Sequence, residues 1–368
     1  MSARPATRRK PERTVDPAAR PPVRDLMRGA TSFRIDWDVR PVYDFVFSLS
    51  GDAGSFDDLP AQDRAWLSES KASLPDDLKS SLTELFESEL CIHAAVLVVD
   101  QPEIRTAAAL VDALEAADPI DVVRAMFDDS KNHPGLGEAV ERVLHGDRGA
   151  LKDVESALPD WHRSDRIAIL ENPAGTFDRI VALLRAWSAI FTPIEPRIAA
   201  ILARDHDSRA ADRSTLAPVD LIERTTGGIR WLPEPGVRRV ILAPSYFSRP
   251  YNFLMSAADW RFFGYPVADD ALEATDPLAA PQSVLRLHRA LGDETRLRIL
   301  KLLAGKDLYL TEIAQQLELS KPTIKHHLAL LRAAGLVTIT ESGTVMYYTL
   351  RRNRLDDATA DIKRLLIG

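Results

Sequence analysis

Residues 310–337 read LTEIAQQLELSKPTIKHHLALLRAAGLV, and their spacing decides how the C-terminal end of the chain folds. Thr311 suits the cap of a helix over Glu312–Leu317, with Ile313, Ala314 and Leu317 facing inward. Leu319-Ser320 makes a tight turn. Ser320 is an N-cap candidate, Pro322 fits the first turn of a second helix over Lys321–Ala334, and Gly335 stops it. Ile324, Leu328 and Leu331 recur at intervals of four and three and form the core face of that helix. Ala314 is small where the two helices must cross. Lys321, Thr323, Lys325 and His326 then project away from the core, with His327 on the edge of the buried face.

Helix, short turn and helix is the arrangement in which the N-terminal part of the second helix enters the DNA major groove. Lysine donors match guanine O6 and N7, and threonine suits bases or a thymine methyl. The amides at the helix start favour phosphate. The candidate DNA-binding residues here are Ser320, Lys321, Thr323, Lys325, His326 and His327. Downstream, Val337–Thr340 and Val345–Leu350 alternate in polarity and are joined by Glu341-Ser342-Gly343-Thr344, a β-hairpin wing. Thr344 at its tip, and Arg351 and Arg352 after it, complete the candidate set. Upstream lie helical repeats over Ser283–Leu291 and Thr295–Leu303. A terminal helix, Leu355–Ile367, carries Leu355, Ala358, Ile362, Leu365 and Leu366 on one stripe. That stripe exceeds what so small a core covers, and its expected partner is the Ser283–Leu291 helix of a second copy.

Four separated motifs carry a resemblance. They are Leu291-Gly292-Asp293-Glu294-Thr295-Arg296-Leu297-Arg298-Ile299-Leu300, Leu310-Thr311-Glu312-Ile313-Ala314, Ser320-Lys321-Pro322-Thr323-Ile324-Lys325-His326-His327-Leu328, and Leu331-Arg332-Ala333-Ala334-Gly335-Leu336-Val337. In this order and spacing they resemble the ArsR-type winged-helix transcriptional regulators, over residues 283 to about 352. The resemblance implies a homodimer that binds an inverted-repeat operator in double-stranded DNA, pairs through its first and last helices, and usually represses until an effector releases it. Metal-sensing members carry a cysteine pair before the turn, where this chain has Leu308-Tyr309-Leu310. Others place Asp and His ligands on the terminal helix, which here has no histidine. The wing tip has Thr344 where an arginine is frequent. The region before the module also looks similar to helical domains that precede ArsR-type modules in some regulators, at Asp38–Leu49 and Val240–Pro250.

The charge distribution separates the module from the rest of the 368 residues. Residues 283–368 hold 14 Lys/Arg and 9 Asp/Glu, a balance of +5, and residues 1–30 are also at +5. Residues 31–282 hold 25 and 42, a balance of −17 within a total of −7. An acidic body repels a polyanion and a basic end does not. The expected fold class is mainly α with small β elements, a large helical N-terminal domain plus a C-terminal winged helix-turn-helix. Residues 1–30, broken by five prolines and almost without apolar side chains, read as a disordered basic tail. Residues 31–268 read as a mostly helical regulatory or dimerisation domain. A small antiparallel sheet near 229–267 is built from Ile229–Leu232, Val237–Ala243 and Arg261–Val267. The aromatic stretch Pro244–Tyr251 lies within it, either as core or as the lining of a ligand pocket. Residues 269–282 read as a linker and 283–368 as the DNA-binding domain.

Other chemistry finds little support. There is no P-loop, no GxGxxG after a strand, no GxSxG elbow and no HExxH, so neither an enzyme nor a cofactor is expected. The single cysteine, Cys91, excludes an intrachain disulfide and sits in an apolar run. His326 and His327 point about 100° apart on a helix and do not chelate one ion together. No apolar run reaches the ~18 residues of a membrane span, and no secretory h-region follows the arginines at the start, so the cytoplasm is the expected location. The body is expected to sense a non-metal small-molecule effector or a protein partner. The competing readings are an enzyme tethered to a winged helix, marked by a pocket of convergent polar groups, and an interaction domain whose winged helix only dimerises.

Overall fold

The structure is a computed structural model, and it describes residues 32–54, 58–86, 91–127, 135–158, 163–272, 280–342 and 345–367. The tail expected over 1–30 lies outside the described residues. In chain order the elements begin with β1 (Arg34–Trp37), α1 (Val42–Phe47), α2 (Ala61–Ala72), α3 (Asp76–Leu85) and α4 (Cys91–Val99). There follow α5 (Ala107–Glu115), α6 (Pro119–Met126), α7 (Leu136–Leu144), α8 (Leu151–Ala157), α9 (Arg163–Glu171), α10 (Pro173–Phe191), α11 (Glu195–Ser208), α12 (Ala210–Thr215) and α13 (Pro218–Thr225). The body closes with β2 (Ile229–Trp231), β3 (Arg239–Ser245), β4 (Phe253–Ser256) and β5 (Trp260–Pro266). The C-terminal module comprises α14 (Gln282–Leu291), α15 (Glu294–Gly305), β6 (Leu308–Tyr309), α16 (Leu310–Leu317), α17 (Lys321–Ala333), β7 (Val337–Ser342), β8 (Val345–Leu350) and α18 (Arg352–Ile367). The expected fold class, helical with small sheets and a C-terminal winged helix-turn-helix, holds.

Local chemistry starts these helices. Thr106 accepts from the Ala109 amide at the start of α5, and Asp118 from Ile120 before Pro119 in α6. Asn172 accepts from Gly175 before Pro173 in α10. Side-chain acceptors and a first-turn proline deal with the amides that a helix start leaves without partners. The long α10 is the axis of the body. Its Leu183, Leu184, Trp187 and Phe191 are fully buried, each worth roughly 1.5–3 kcal/mol of apolar burial. The Trp187 indole N–H donates to Ser48 Oγ at 2.8 Å, which ties α10 to the end of α1.

The expected antiparallel sheet needs correction on two points. The body's four-stranded sheet has the order β1-β3-β5-β4, with β1–β3 and β3–β5 parallel and only β4–β5 antiparallel. Parallel neighbours need a crossover, and between β1 and β3 that crossover is the whole helical body. Central strand β3 is accordingly buried at six of its seven positions, without the alternation of a one-sided sheet. The second point concerns 229–231. This strand, β2, belongs to another sheet, β2-β7-β8-β6, and lies parallel to the wing strand β7.

The segment expected as a linker begins as a fixed element. Asp269 accepts from Arg249 of the body and from Arg286 of α14, which also pairs with Asp58. Both cations hold the Asp269 carboxyl below its usual range against the opposing effect of burial. Residues 273–279 lie outside the described residues.

Asp44 locks α1 to the end of β3. Its buried carboxylate accepts from Ser245 Oγ at 2.6 Å and from the Tyr246 and Phe247 amides at 3.0 and 2.8 Å. Burial pushes its pKa up to about 6 in spite of these donors. A raised folded pKa contributes stability that is complete below the unfolded value near 3.8 and is lost as pH rises through 6. Urea unfolding of the wild type relative to Asp44→Asn should therefore lose about 2–3 kcal/mol between pH 4 and pH 7. A difference that stays flat over that window would remove Asp44 as the titrating group.

Candidate nucleic-acid interface

The site is built on α16 and α17. Ile313, Ala314 and Leu317 of α16 are buried against Ile324, Leu328 and Leu331 of α17. This packing fixes the rotation of α17 about its axis. The turn between them bends at Glu318, whose φ of 56° is left-handed. The start of α16 differs from expectation. Its N-cap is Tyr309, whose amide donates to Glu312 Oε2 at 2.8 Å, so Thr311 lies inside the first turn.

At the start of α17, Ser320 accepts from the Thr323 amide at 3.3 Å, and the two hydroxyls lie 2.7 Å apart. Pro322 occupies the first turn. The far end closes on Gly335 at φ 73°, with the Leu336 amide donating to Leu331 O at 2.9 Å, a Schellman closure. Between these ends, Lys321, Thr323, Lys325 and His326 are exposed. His327 is turned inward, half-buried, with Nδ1 3.8 Å from Asp293 Oδ1. Burial holds its pKa below the usual value, opposed by Asp293. His327 is therefore set apart from the outward four. It flanks the start of α15, where Asp293 accepts from the Arg296 amide at 2.9 Å.

The wing pairs from Val337↔Leu350 to Ser342↔Val345. Gly343 and the candidate Thr344 lie outside the described residues. Arg351 is half-buried at the base of the wing, and its amide donates to Leu336 O at 2.9 Å. Arg352 is exposed and donates to Ala304 O at 2.7 Å, capping the end of α15. Where metal sensors would carry thiols, Tyr309 and Tyr347 bond through their hydroxyls at 2.5 Å, with ring centroids 4.4 Å apart. Among the described residues no group of three or more His, Cys, Asp or Glu is placed to hold a metal, and no helix is long and apolar enough to cross a membrane.

Two features escaped the sequence reading. Arg298, Lys301 and Lys306 are exposed along a groove between α15 and α16, a basic strip legible from the outward positions of α15. Arg332, near the C-terminal end of α17, is buried and donates to Asn252 Oδ1 of the body. Its spacing, four residues after Leu328 and eight after Ile324, sets it beside the core stripe, but nothing local names its partner.

Residues 293–338 match the family described as bacterial regulatory protein, arsR family. The transcriptional repressor SdpR of Bacillus subtilis is 39% identical over 72 residues, which cover 20% of this chain and 80% of SdpR. The chain belongs to the ArsR family. The regulator KmtR of Mycobacterium tuberculosis is 34% identical over 88 residues, 23% of this chain and 68% of KmtR. A solved structure of HlyU from Vibrio cholerae is 31% identical, with a TM-score of 0.20, and covers 24% of this chain and 95% of HlyU. The protein is thus an ArsR-family transcriptional regulator with a DNA-binding helix-turn-helix, and its likeness to these relatives lies in the C-terminal module.

Removing the α17 cap tests the local account of this ArsR helix. Ser320→Ala leaves the Thr323 amide without its side-chain acceptor and should lower stability by about 1 kcal/mol in urea unfolding. No loss would mean that the amide is satisfied by other means.

Proposed function

We propose that this protein is a one-component regulator. It binds an inverted-repeat operator as a homodimer and represses transcription, with the body responding to a small-molecule effector or a protein partner. The observation that carries the reading is the outward set Lys321, Thr323, Lys325 and His326 on the first two turns of a helix whose opposite side is locked in the core. Lysine and threonine there offer donors and a methyl to base edges in the major groove. Ser320 caps the helix, whose start favours a phosphate. Thr344, Arg351 and Arg352 are the wing-side candidates, with Arg352 already engaged by Ala304 O. His327 is assigned to orienting α17.

For the dimer, the support is α18. It packs on α14 within the chain, yet Leu366 and Ile367 are 74% and 81% exposed, and Leu355 and Leu365 are about two-fifths exposed. An apolar row left uncovered at the end of an amphipathic helix suits a second copy of the same helix pair.

Two measurements test the reading. The duplex selected by the wild-type chain from a random pool should bind with strong salt dependence, because each neutralised phosphate adds about 0.9 to the slope of log K against log salt. Lys321→Ala with Lys325→Ala should weaken that binding by about 100-fold or more, at roughly 1–3 kcal/mol per base contact, while sedimentation still reports a folded dimer. Wild-type affinity in the double variant would move the reading surface elsewhere. Leu365→Glu with Leu366→Glu should shift the sedimenting species to monomer, and an unchanged dimer would sink the α14–α18 seam.

A further inference from the structure

Strand β2 belongs to the body by sequence and by burial. Ile229 and Trp231 are buried in one cluster with Val240, Leu242, Phe263 and Tyr265 of the body's sheet. The Phe33 ring meets the Trp231 ring edge-on at 4.9 Å. The open edge of β2 nevertheless pairs in parallel with the wing strand β7, in the register Ile229↔Ile339 to Trp231↔Glu341. The Ile339 amide donates to Gly228 O at 2.9 Å. Gly228 has φ 120°, and a Cβ there would lie 3.3 Å from Thr338 Cγ2 and 3.4 Å from Val337 O. This junction therefore needs glycine. The wing is thus half of a sheet whose other edge is rooted in the body.

The recognition helix is held at a second point. Arg332 lies seven residues, about 10 Å of helix axis, beyond Lys325. It donates to Asn252 Oδ1, and Asn252 Nδ2 donates to Thr226 O at 3.0 Å, two residues before the glycine that leads into β2. Among the described residues no carboxylate pairs with Arg332. The groups that act on it electrostatically are Tyr348 of β8 and Tyr251 beside Asn252, while burial pulls its pKa down. A guanidinium keeps its charge under these conditions, so the few acceptors around it matter. Body loop, recognition helix and wing meet at this one cation.

We propose that Asn252 is a positioning residue for DNA recognition. Through Arg332 and the β2–β7 pairing, the body sets the relative placement of recognition helix and wing, and operator affinity depends on a residue that touches no DNA. This rests on the reading of α17 as the DNA-contacting helix. A body ligand that moves the 246–252 turn then changes operator affinity, and by linkage the operator stabilises that turn and β2 to the same extent.

The test uses the full chain and the duplex selected by the wild type. Asn252→Ala should bind it about tenfold more weakly, within the usual range of coupling between sites. The slope of log K against log salt should stay at the wild-type value, because no phosphate contact is lost. Asn252→Asp, which keeps an acceptor facing Arg332 but loses the donor to Thr226 O, should recover part of the loss and bind more tightly than Asn252→Ala; an Asp variant no better than Ala would remove Arg332 from the coupling. In the wild type, which needs no variant to fold, adding the duplex should slow amide exchange over 229–231 and 251–252. Wild-type affinity in Asn252→Ala, or exchange at β2 that is indifferent to DNA, overturns the coupling while leaving the DNA reading intact. A wild-type chain that selects no duplex overturns both.

Discussion

The burial of Ile324, Leu328 and Leu331 against α16 is the constraint from which the rest follows. Three side chains on one stripe fix the rotation of a helix as a key is fixed in a slot. Successive residues differ by about 100°, so residues a quarter turn or more from that stripe point outward. Lys325 and His326 are exposed for this reason, Lys321 because it stands at the helix start beyond the core, and His327, three residues from Ile324 and one from Leu328, is drawn halfway in. The exposed face of α17 is thereby set by packing, with the cap at Ser320 and the closure at Gly335 setting where the helix starts and stops.

The acidic body and the basic module carry opposite charge, and the structure uses that attraction away from the recognition face. Arg286 on α14 takes Asp58 and Asp269, and Asp269 takes Arg249 as well. These pairs are half-buried or deeper, so salt screens them less than it would screen exposed pairs. None of them involves Lys321 or Lys325. The module is tied to an anionic partner through α14, a helix other than the one that carries the two lysines.

What the sequence made legible was local. In the module, periodicity, caps and turns act over ten residues or fewer, and helix α17 came out within a residue of its observed span. The body sheet was misread because its pairings are not local. β1 and β3 lie some 200 residues apart, and nothing in Arg34–Trp37 names Val240 or Leu242 as its neighbours. Strand β2 shows the same limit more sharply. Its three residues declare a strand, but which sheet a strand joins is settled by whatever edge lies open beside it. Thr311 was read as a cap on residue type, whereas Glu312 reaching back to Tyr309 decides the start of α16. Arg332 is a charged residue beside the core stripe near the end of α17. Its partner Asn252 comes from 80 residues away in sequence, and no local pattern names it.

The thirteen residues of α17 span about 20 Å, and this length reconciles attachment with recognition. A shorter helix held by Arg332 would keep its lysines against the body. A helix held nowhere would leave the wing, rooted through β2, free to part from it. At the observed length, the end near Arg332 is covered by Tyr251, Asn252 and Tyr348, while the end near Ser320 stands clear by more than two turns. A major groove accepts only the first turns of such a helix, so the buried end costs the exposed end no contact. The two ends of one rod thus answer to different neighbours, and in the proposed coupling a shift at the buried end reaches the other, because close-packed interiors transmit strain.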